Sequence, residues 1–315
     1  MTKEPVTQNS SFTISGKLKD YRLLTKFSLS FMVAFSAVIS YLLAPNIHYG
    51  WWKIVLLFVG GFMITGSANA VNEIAEKDTD ALMNRTASRP LPSGRMSVNE
   101  AWTAAVIMLV GGISILGFYF NWLSAGVAFV SWFIYAYMYT PLKKVSSVSV
   151  LVGGIPGALP CLIGWVAGTG MLNPLAKFVL AANGQEVSNI GGWVLFAIQF
   201  FWQFPHFWAI AWVAHKDYTN AGFKLMPSVQ GPSKYSAIQS VVYSLVLIPI
   251  GMLPYLVGMS GMISFWIVLA ANLMMVWQCV RLVREMEKKA ARRVMFSSYF
   301  YLPIVLLALL ADKNW

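Results

Sequence analysis

The stretch from Trp51 to Arg95 decides the fold, and it reads WWKIVLLFVGGFMITGSANAVNEIAEKDTDALMNRTASRPLPSGR. It opens with an apolar run over 51–73, which matches the roughly 20 apolar residues that a transmembrane helix needs. Carboxylates follow this run, and a turn-rich loop with three arginines comes next. The stretch therefore predicts a membrane-spanning helix that carries a charged site at one of its ends.

The composition extends this interpretation to the whole chain. Of the 315 residues, 57% are hydrophobic and 11% are charged, and the mean hydropathy is +0.62. Soluble domains contain roughly 45–50% apolar residues, so these values exclude an ordinary soluble domain and a disordered chain. The apolar runs are also too long for a membrane β-barrel, whose strands alternate over about 10 residues. They predict an all-α polytopic membrane protein with nine transmembrane helices, over 27–44, 51–73, 101–120, 122–140, 150–168, 190–213, 236–256, 260–281 and 294–311.

Lysine and arginine are distributed unevenly between the two sides of these nine spans. Twenty lie in the N-terminal segment, from Lys3 onwards, and in the loops on the same side, whereas the other side holds only Lys53, Lys177 and Lys313. We expect a bacterial cytoplasmic (inner) membrane protein, and the positive-inside rule predicts that its N-terminus lies in the cytoplasm and its C-terminus outside. We expect a cytoplasmic segment over 1–26, a single transmembrane domain over 27–311 and an outer tail over 312–315. The net charge of +11 therefore reflects topology, and no nucleic-acid partner is expected.

Three oxygen-bearing side chains follow one face of the second span. Asn72, Glu76 and Asp80 are spaced i, i+4 and i+8, and they drift by only about 80° around a continuous helix. Two carboxylates and an amide suit Mg²⁺, which takes oxygen ligands and leaves positions for water or substrate phosphates. Asp78 points away from this face. The spacing therefore predicts a magnesium site at the cytoplasmic end of the span.

The loop that follows carries Arg85, Arg89 and Arg95 among turn-forming residues. Guanidinium groups offer a rigid fork of donors that fits phosphate oxygens. Arginines next to metal-binding carboxylates are therefore typical of a diphosphate site. A solvated helix end that merely follows the positive-inside rule would explain the arginines, but it would not explain the stripe of carboxylates.

These residues resemble the UbiA superfamily of intramembrane prenyltransferases, in the form found in its heme branch, the heme O synthases (protoheme IX farnesyltransferases). The matching motifs are Asn72-xxx-Glu76-xxx-Asp80 with Arg85 and Arg89, Tyr139-Thr-Pro-Leu-Lys143, the segment from Gly153 through Trp165, Trp202-Gln-Phe-Pro-His206, and Lys216-Asp217-Tyr218. The first motif is similar to that of the whole superfamily, and the second acidic motif, around Asp217, narrows the resemblance to the heme branch. Glu76 stands where the superfamily usually has Asp.

The resemblance implies a nine-helix prenyltransferase that transfers a farnesyl group from farnesyl diphosphate to a vinyl group of heme B, giving heme O. It also implies Mg²⁺ as the cofactor, membrane lipid as the surroundings, and a downstream heme-modifying enzyme or oxidase assembly factors as partners. The catalytic residues implied are Asn72, Glu76, Asp80, Lys143 and Asp217, of which all but Lys143 would bind the metal. The substrate-binding residues implied are Arg85, Arg89, Tyr139, Lys143, Trp165, His206, Lys216 and Tyr218.

His206 and Asp217 lie eleven residues apart, which returns to nearly the same helical face after about three turns. We expect both to face one cavity. Because about 16 Å of helix separates them, one metal ion cannot bridge them. Asp217 is assigned to the diphosphate end, and His206 to heme iron or a heme propionate. An interhelical hydrogen bond is the alternative role for His206.

Two further functions stay open from the sequence. One is a UbiA-type prenyltransferase with a different aromatic or tetrapyrrole acceptor, against which the motif around His206 and Asp217 argues. The other is a membrane transporter. Transporters place ionisable residues near the bilayer midplane, yet after residue 100 the proposed spans hold none at depth.

Overall fold

The computed structural model describes residues 13–47, 50–181, 183–228 and 231–315. Lys3 and most of the predicted N-terminal segment therefore lie outside the described residues. The helices are α1 Ile14–Leu24, α2 Phe27–Leu43, α3 Trp51–Ala75, α4 Lys77–Asp80, α5 Val98–Tyr119, α6 Trp122–Phe133, α7 Thr140–Val145, α8 Val148–Thr169, α9 Gly191–Val213, α10 His215–Asn220, α11 Lys234–Leu256, α12 Met262–Glu285 and α13 Lys288–Ala311. A π-helical segment, Ile134–Tyr139, joins α6 to α7.

The described residues contain eight helices that are long and apolar enough to cross a membrane, with α6, the π-helical segment and α7 counted as one. A ninth span results if α1 and α2 are taken together, although they meet at an angle of 56°. The bend lies at Lys26, whose φ of 46° places it in the left-handed region that interrupts a helix. The prediction of a polytopic helical membrane protein with nine spans is confirmed with this bent pair included.

Close contacts between small residues hold the helices together. A Cβ atom at Gly164 of α8 would lie 1.8 Å from the carbonyl oxygen of Ala37 in α2, so only glycine permits this approach. Because lipid supplies no hydrophobic driving force between helices, such close backbone packing is a main source of stability. This contact joins α2 and α8, two of the helices that enclose the functional site.

The loops divide the bundle into two unlike ends. We call the end that carries Lys26, Asp80, Arg89 and Lys143 the charged end. The opposite end carries a hairpin in which β1 Lys177–Val179 pairs antiparallel with β2 Glu186–Ser188. The C-terminal residues close this opposite end, because the Lys313 ammonium donates to the Leu42 carbonyl of α2 at 2.7 Å.

Candidate active site

The predicted stripe lines one cavity at the charged end. Helix α3 ends at Ala75, but hydrogen bonds from Glu76 N to Asn72 O (3.0 Å) and from Asp80 N to Glu76 O (2.7 Å) preserve the helical spacing through the break. All three side chains are buried and line a cavity of about 710 Å³. Asp78 is exposed, as the helical geometry predicts.

A cation of the chain lies against each member of the stripe. The three pairs are Lys26 Nζ with Asn72 Oδ1 (2.7 Å), Lys143 Nζ with Glu76 Oε1, and Arg89 Nη1 with Asp80 Oδ2 (2.6 Å). A buried carboxylate without a partner costs several kcal/mol, roughly, so these pairs stabilise the folded site. Because Lys26 precedes the first apolar run, the sequence suggested only a topological role for it.

The donor set of the stripe fits magnesium. Two carboxylates and an amide converge there, and Asp80 Oδ1 is buried without a hydrogen-bond partner among the described residues. No group of three His, Cys, Asp or Glu side chains in the described part of the chain has metal-binding geometry. In proteins Mg²⁺ is commonly held by one or two carboxylates, and substrate phosphates complete its coordination.

Only two of the three arginines in the predicted loop line the cavity. Arg85 and Arg89 line the charged-end cavity. Arg85 Nη2 donates to the Tyr218 hydroxyl at 3.1 Å, and its guanidinium lies over the Tyr218 ring. Arg95 instead pairs with Asp20 of α1 at 2.9 Å, outside the cavity wall. The cavity therefore receives two guanidiniums rather than three.

The π-helical segment presents two tyrosines to the cavity. The rings of Tyr135 and Tyr139 lie 5.2 Å apart, and the Lys143 ammonium lies 4.9 Å from the Tyr139 ring centroid. The Thr140 hydroxyl bonds to the Tyr135 carbonyl and accepts from Asn72 Nδ2 at 3.1 Å. Single π-helical turns frequently mark functional sites. Thr140, directly after this segment, connects the aromatic wall to the stripe through these two hydrogen bonds.

A second, narrower cavity continues from the charged-end cavity towards the opposite end. The two share Leu29, Tyr135, Tyr139 and Phe207 in their walls. The narrower one, of about 150 Å³, is almost entirely apolar and reaches Leu116 of α5. A polar mouth that opens into an apolar passage can bind an amphiphile with its charged head at the mouth and its chain inside.

The sequence of the chain matches the model of the UbiA prenyltransferase family over residues 33–302. The chain is a member of this family. It is 44% identical to the protoheme IX farnesyltransferase of Cytophaga hutchinsonii over 303 residues, which cover 95% of this chain and 99% of that protein. It is 37% identical to the protoheme IX farnesyltransferase of Flavobacterium johnsoniae, over 96% of this chain and 97% of that protein.

Solved structures show the same fold. A digeranylgeranylglyceryl phosphate synthase matches with a TM-score of 0.74 at 20% identity, over 94% of this chain and 98% of its own. A UbiA homolog from Archaeoglobus fulgidus bound to DMAPP and Mg²⁺ matches with a TM-score of 0.62 at 16% identity, over 91% of this chain and 99% of its own. The nine-span arrangement is therefore that of UbiA prenyltransferases.

His206 lines the charged-end cavity, as predicted. Its Nδ1 lies 2.7 Å from the Ser298 hydroxyl of α13, so the alternative role, a hydrogen bond between helices, is also present. The Trp202 ring stacks on the imidazole with a centroid distance of 5.0 Å. Tyr218, the last member of the second motif, lies in the same wall.

Three predicted site residues lie elsewhere. Helix α9 ends at Val213 and α10 begins at His215, and of the second motif only Tyr218 reaches the cavity wall. Neither of these two residues lines the cavity, and the expectation that His206 and Asp217 share it is wrong. Trp165 is buried in α8 against Gly191 and Gly192, and its indole N–H donates to Asn189 at 2.7 Å.

Other cavity residues had no assignment from the sequence. They include Lys26, Phe223 and Tyr299, and Ser298 lies behind His206. The Phe223 ring lies 5.2 Å from the Lys143 ammonium, opposite Tyr139. An aromatic residue carries no distinguishing signal in a chain that is 15% aromatic, so only the tertiary structure identifies these members.

Proposed function

We propose that this chain transfers the farnesyl group of farnesyl diphosphate to a vinyl group of heme B and thereby forms heme O. The observation that carries the proposal is the junction of the two cavities, one wide with charged walls and one narrow with apolar walls. The named relatives support heme B as the acceptor, because they are protoheme IX farnesyltransferases of nearly the same length.

The diphosphate binds at the charged end. Lys26, Lys143, Arg85 and Arg89 line that cavity and supply ammonium and guanidinium donors for phosphate oxygens. Asn72, Glu76 and Asp80 are the residues that would hold Mg²⁺, and this ion would supply Lewis-acid stabilisation of the departing diphosphate. Asp217 is not included in this ligand set, because its side chain is absent from the cavity wall.

The reaction exchanges a carbon–oxygen bond for a carbon–carbon bond. The C1–O bond of farnesyl diphosphate breaks, and diphosphate leaves with the bonding electrons. The terminal vinyl carbon of heme B then bonds to farnesyl C1, and the positive charge moves to the carbon next to the porphyrin. Water adds to that carbon and loses a proton to give the hydroxyl group. The faces of Tyr135 and Tyr139 lie where they can stabilise the allylic cation.

The wide cavity takes the flat macrocycle. Its volume is about 710 Å³, against about 150 Å³ for the apolar passage, so the larger cavity is the one that suits a macrocycle. Trp202, His206, Phe207 and Tyr299 form its side away from the carboxylates. Heme therefore lies against this aromatic side, and the farnesyl chain lies in the passage.

The distribution of charge supports an orientation in the bacterial cytoplasmic membrane with the charged end inside. In this orientation the N-terminus lies in the cytoplasm and the C-terminus outside. A downstream heme-modifying enzyme or oxidase assembly factor would take up heme O from the membrane. Reporter fusions at the C-terminus test the orientation. A fusion that is active only in the cytoplasm would contradict it.

Expression in a host that lacks heme O tests the function. We expect heme O in membranes that contain the wild-type chain, identified by chromatography and mass spectrometry. The Asp80→Ala variant should yield none, and the Asp78→Ala variant is the matched control, because it removes an exposed carboxylate two residues away. A prenylated product of another mass would refute the proposed function, whereas heme O at equal levels from all three would refute the role of Asp80.

A further inference from the structure

The hydrogen bonds around His206 determine which ring nitrogen carries the proton. The Ser298 hydroxyl donates its single proton to the Met295 carbonyl at 2.6 Å. Toward His206 Nδ1, 2.7 Å away, Ser298 Oγ can therefore act only as an acceptor. Nδ1 must carry a hydrogen, and in a neutral imidazole the lone pair then belongs to Nε2.

The neutral ring is favoured by its surroundings. No carboxylate forms an ion pair with His206 among the residues that the structure describes, and a charge buried without a partner is costly. Trp202 stacks on one face of the imidazole, and Tyr299 meets it edge-on at 5.2 Å. These rings surround the imidazole with apolar area.

Ser298 also fixes the direction of the ring. Its carbonyl accepts from Trp202 Nε1 at 3.0 Å, so one residue of α13 holds both the imidazole and the indole stacked on it. Because Nδ1 is turned towards α13, Nε2 is the ring nitrogen that a ligand in the charged-end cavity can reach.

We propose that His206 binds the heme iron through Nε2 and that Ser298 is the positioning residue that holds the required tautomer. This inference rests on the proposed function for the identity of the ligand. It decides between the two roles left open for His206, because a propionate is a carboxylate and needs a donor, whereas Nε2 offers only a lone pair. Histidines that bind metals generally donate their other ring N–H to an acceptor in this way.

Two porphyrins separate iron binding from a propionate contact. Heme B and metal-free protoporphyrin IX carry the same propionates, but only heme offers an iron. Both are titrated into the purified protein without farnesyl diphosphate. In the His206→Gly variant we expect an altered Soret band and heme binding weakened by about 100-fold or more, since losing only the hydrogen-bonding partner of a ligand costs about 10- to 100-fold. Metal-free protoporphyrin should bind as in the wild type, and free imidazole should restore the heme spectrum. Equal loss for both porphyrins, or an unchanged spectrum, would overturn the proposal.

Ser298 variants test the positioning role. Ser298→Ala should weaken heme binding and alter the iron spectrum, whereas Ser298→Thr keeps a hydroxyl and should restore both. Ser240→Ala is the matched control, because Ser240 is also buried and bonds to a carbonyl of its own helix, but within the described part of the chain it has no hydrogen bond to a histidine. A wild-type heme spectrum in Ser298→Ala would refute the positioning role.

Heme binding and product formation report on different claims. A protein that binds heme with a spectrum dependent on His206, yet forms no heme O, would contradict the proposed function and leave the iron ligand in place. A protein that forms heme O but whose heme spectrum does not depend on His206 would support the proposed function and contradict the iron ligand.

Discussion

The floor of the apolar passage limits the length of the prenyl chain. Along α8 the passage extends from Gly153 to Ile163, which is ten residues or about 15 Å at 1.5 Å per residue. A farnesyl chain has eleven main-chain bonds and extends about 13 Å at roughly 1.2 Å per bond, the advance in an extended peptide. A geranylgeranyl chain extends about 18 Å on the same basis. It therefore exceeds the passage by about 3 Å.

The perturbation is Leu116→Ala. Leu116 is fully buried, and it lines the passage from α5, three residues before that helix ends at Tyr119. Packing the additional isoprene unit of a geranylgeranyl chain against Leu116 should cost about 1–3 kcal/mol, which corresponds to about 5- to 150-fold in kcat/KM. Removing the leucine side chain beyond Cβ frees about 3 Å, which matches the overhang. We therefore expect Leu116→Ala to use geranylgeranyl diphosphate nearly as well as farnesyl diphosphate.

The assay compares kcat/KM for the two diphosphates with heme B as the common acceptor. Leu→Ala in a core costs about 2–5 kcal/mol of stability, so Leu116→Val serves as a milder second variant with a smaller shift in the same direction. Leu109→Ala is the control, because Leu109 lies on α5 and packs against the same core without lining the passage. An unchanged ratio of kcat/KM in folded Leu116→Ala would refute the reasoning.

Three further predictions concern the charged end. Asn72→Ala, Glu76→Ala and Asp80→Ala should each lower heme O formation by about 100-fold or more, whereas Asp78→Ala should change it little; equal effects from all four would contradict the helical stripe. Arg89→Lys keeps the charge but loses the donor fork, so the KM for farnesyl diphosphate should rise about tenfold while heme affinity stays the same, and parallel losses would argue against a diphosphate contact. Lys143→Met should lower the free energy of unfolding by about 3–5 kcal/mol, because it leaves Glu76 buried without its partner. Denaturation in detergent measures this loss, and adding Glu76→Gln should recover part of the stability but none of the activity.

Periodicity predicted the parts of this structure that depend on local geometry. The spans followed from hydropathy, and the stripe followed from i, i+4 spacing over two turns. The stripe survived a break at Glu76 because two backbone hydrogen bonds bridge it. The same reasoning failed over three turns. Backbone hydrogen bonds also bridge the break at Ala214, yet it is Tyr218 and not Asp217 that lines the cavity with His206, because contacts across the bundle, such as that of Tyr218 with Arg85, determine which side chain faces it.

Contacts between residues on different helices could not be predicted from local sequence patterns. Trp165 belongs to a segment that resembles a family motif, yet its ring packs against two glycines of α9 and does not line the charged-end cavity. Ser298 lies 92 residues after His206, and nothing in its local sequence distinguishes it from the other serines of the chain. Only the packing of α13 against α9 identifies it.

The charges of the cavity favour joint binding of the proposed metal ion and diphosphate over binding of either one alone. Lys26, Lys143, Arg85 and Arg89 face two carboxylates there, which leaves two positive charges in excess. Mg²⁺ alone would raise this excess to four, and a diphosphate alone, with roughly three negative charges, would reverse its sign. Mg²⁺ and diphosphate together bring the excess to about one positive charge. The carboxylates then bind the metal in place of their lysine and arginine partners, and those cations bind phosphate oxygens. We therefore expect farnesyl diphosphate to raise the affinity for Mg²⁺, and Mg²⁺ to raise that for farnesyl diphosphate by the same factor. Titration calorimetry with each ligand, alone and with the other present, measures both factors. Mg²⁺ binding of equal affinity with and without farnesyl diphosphate would show that the cations do not control the site.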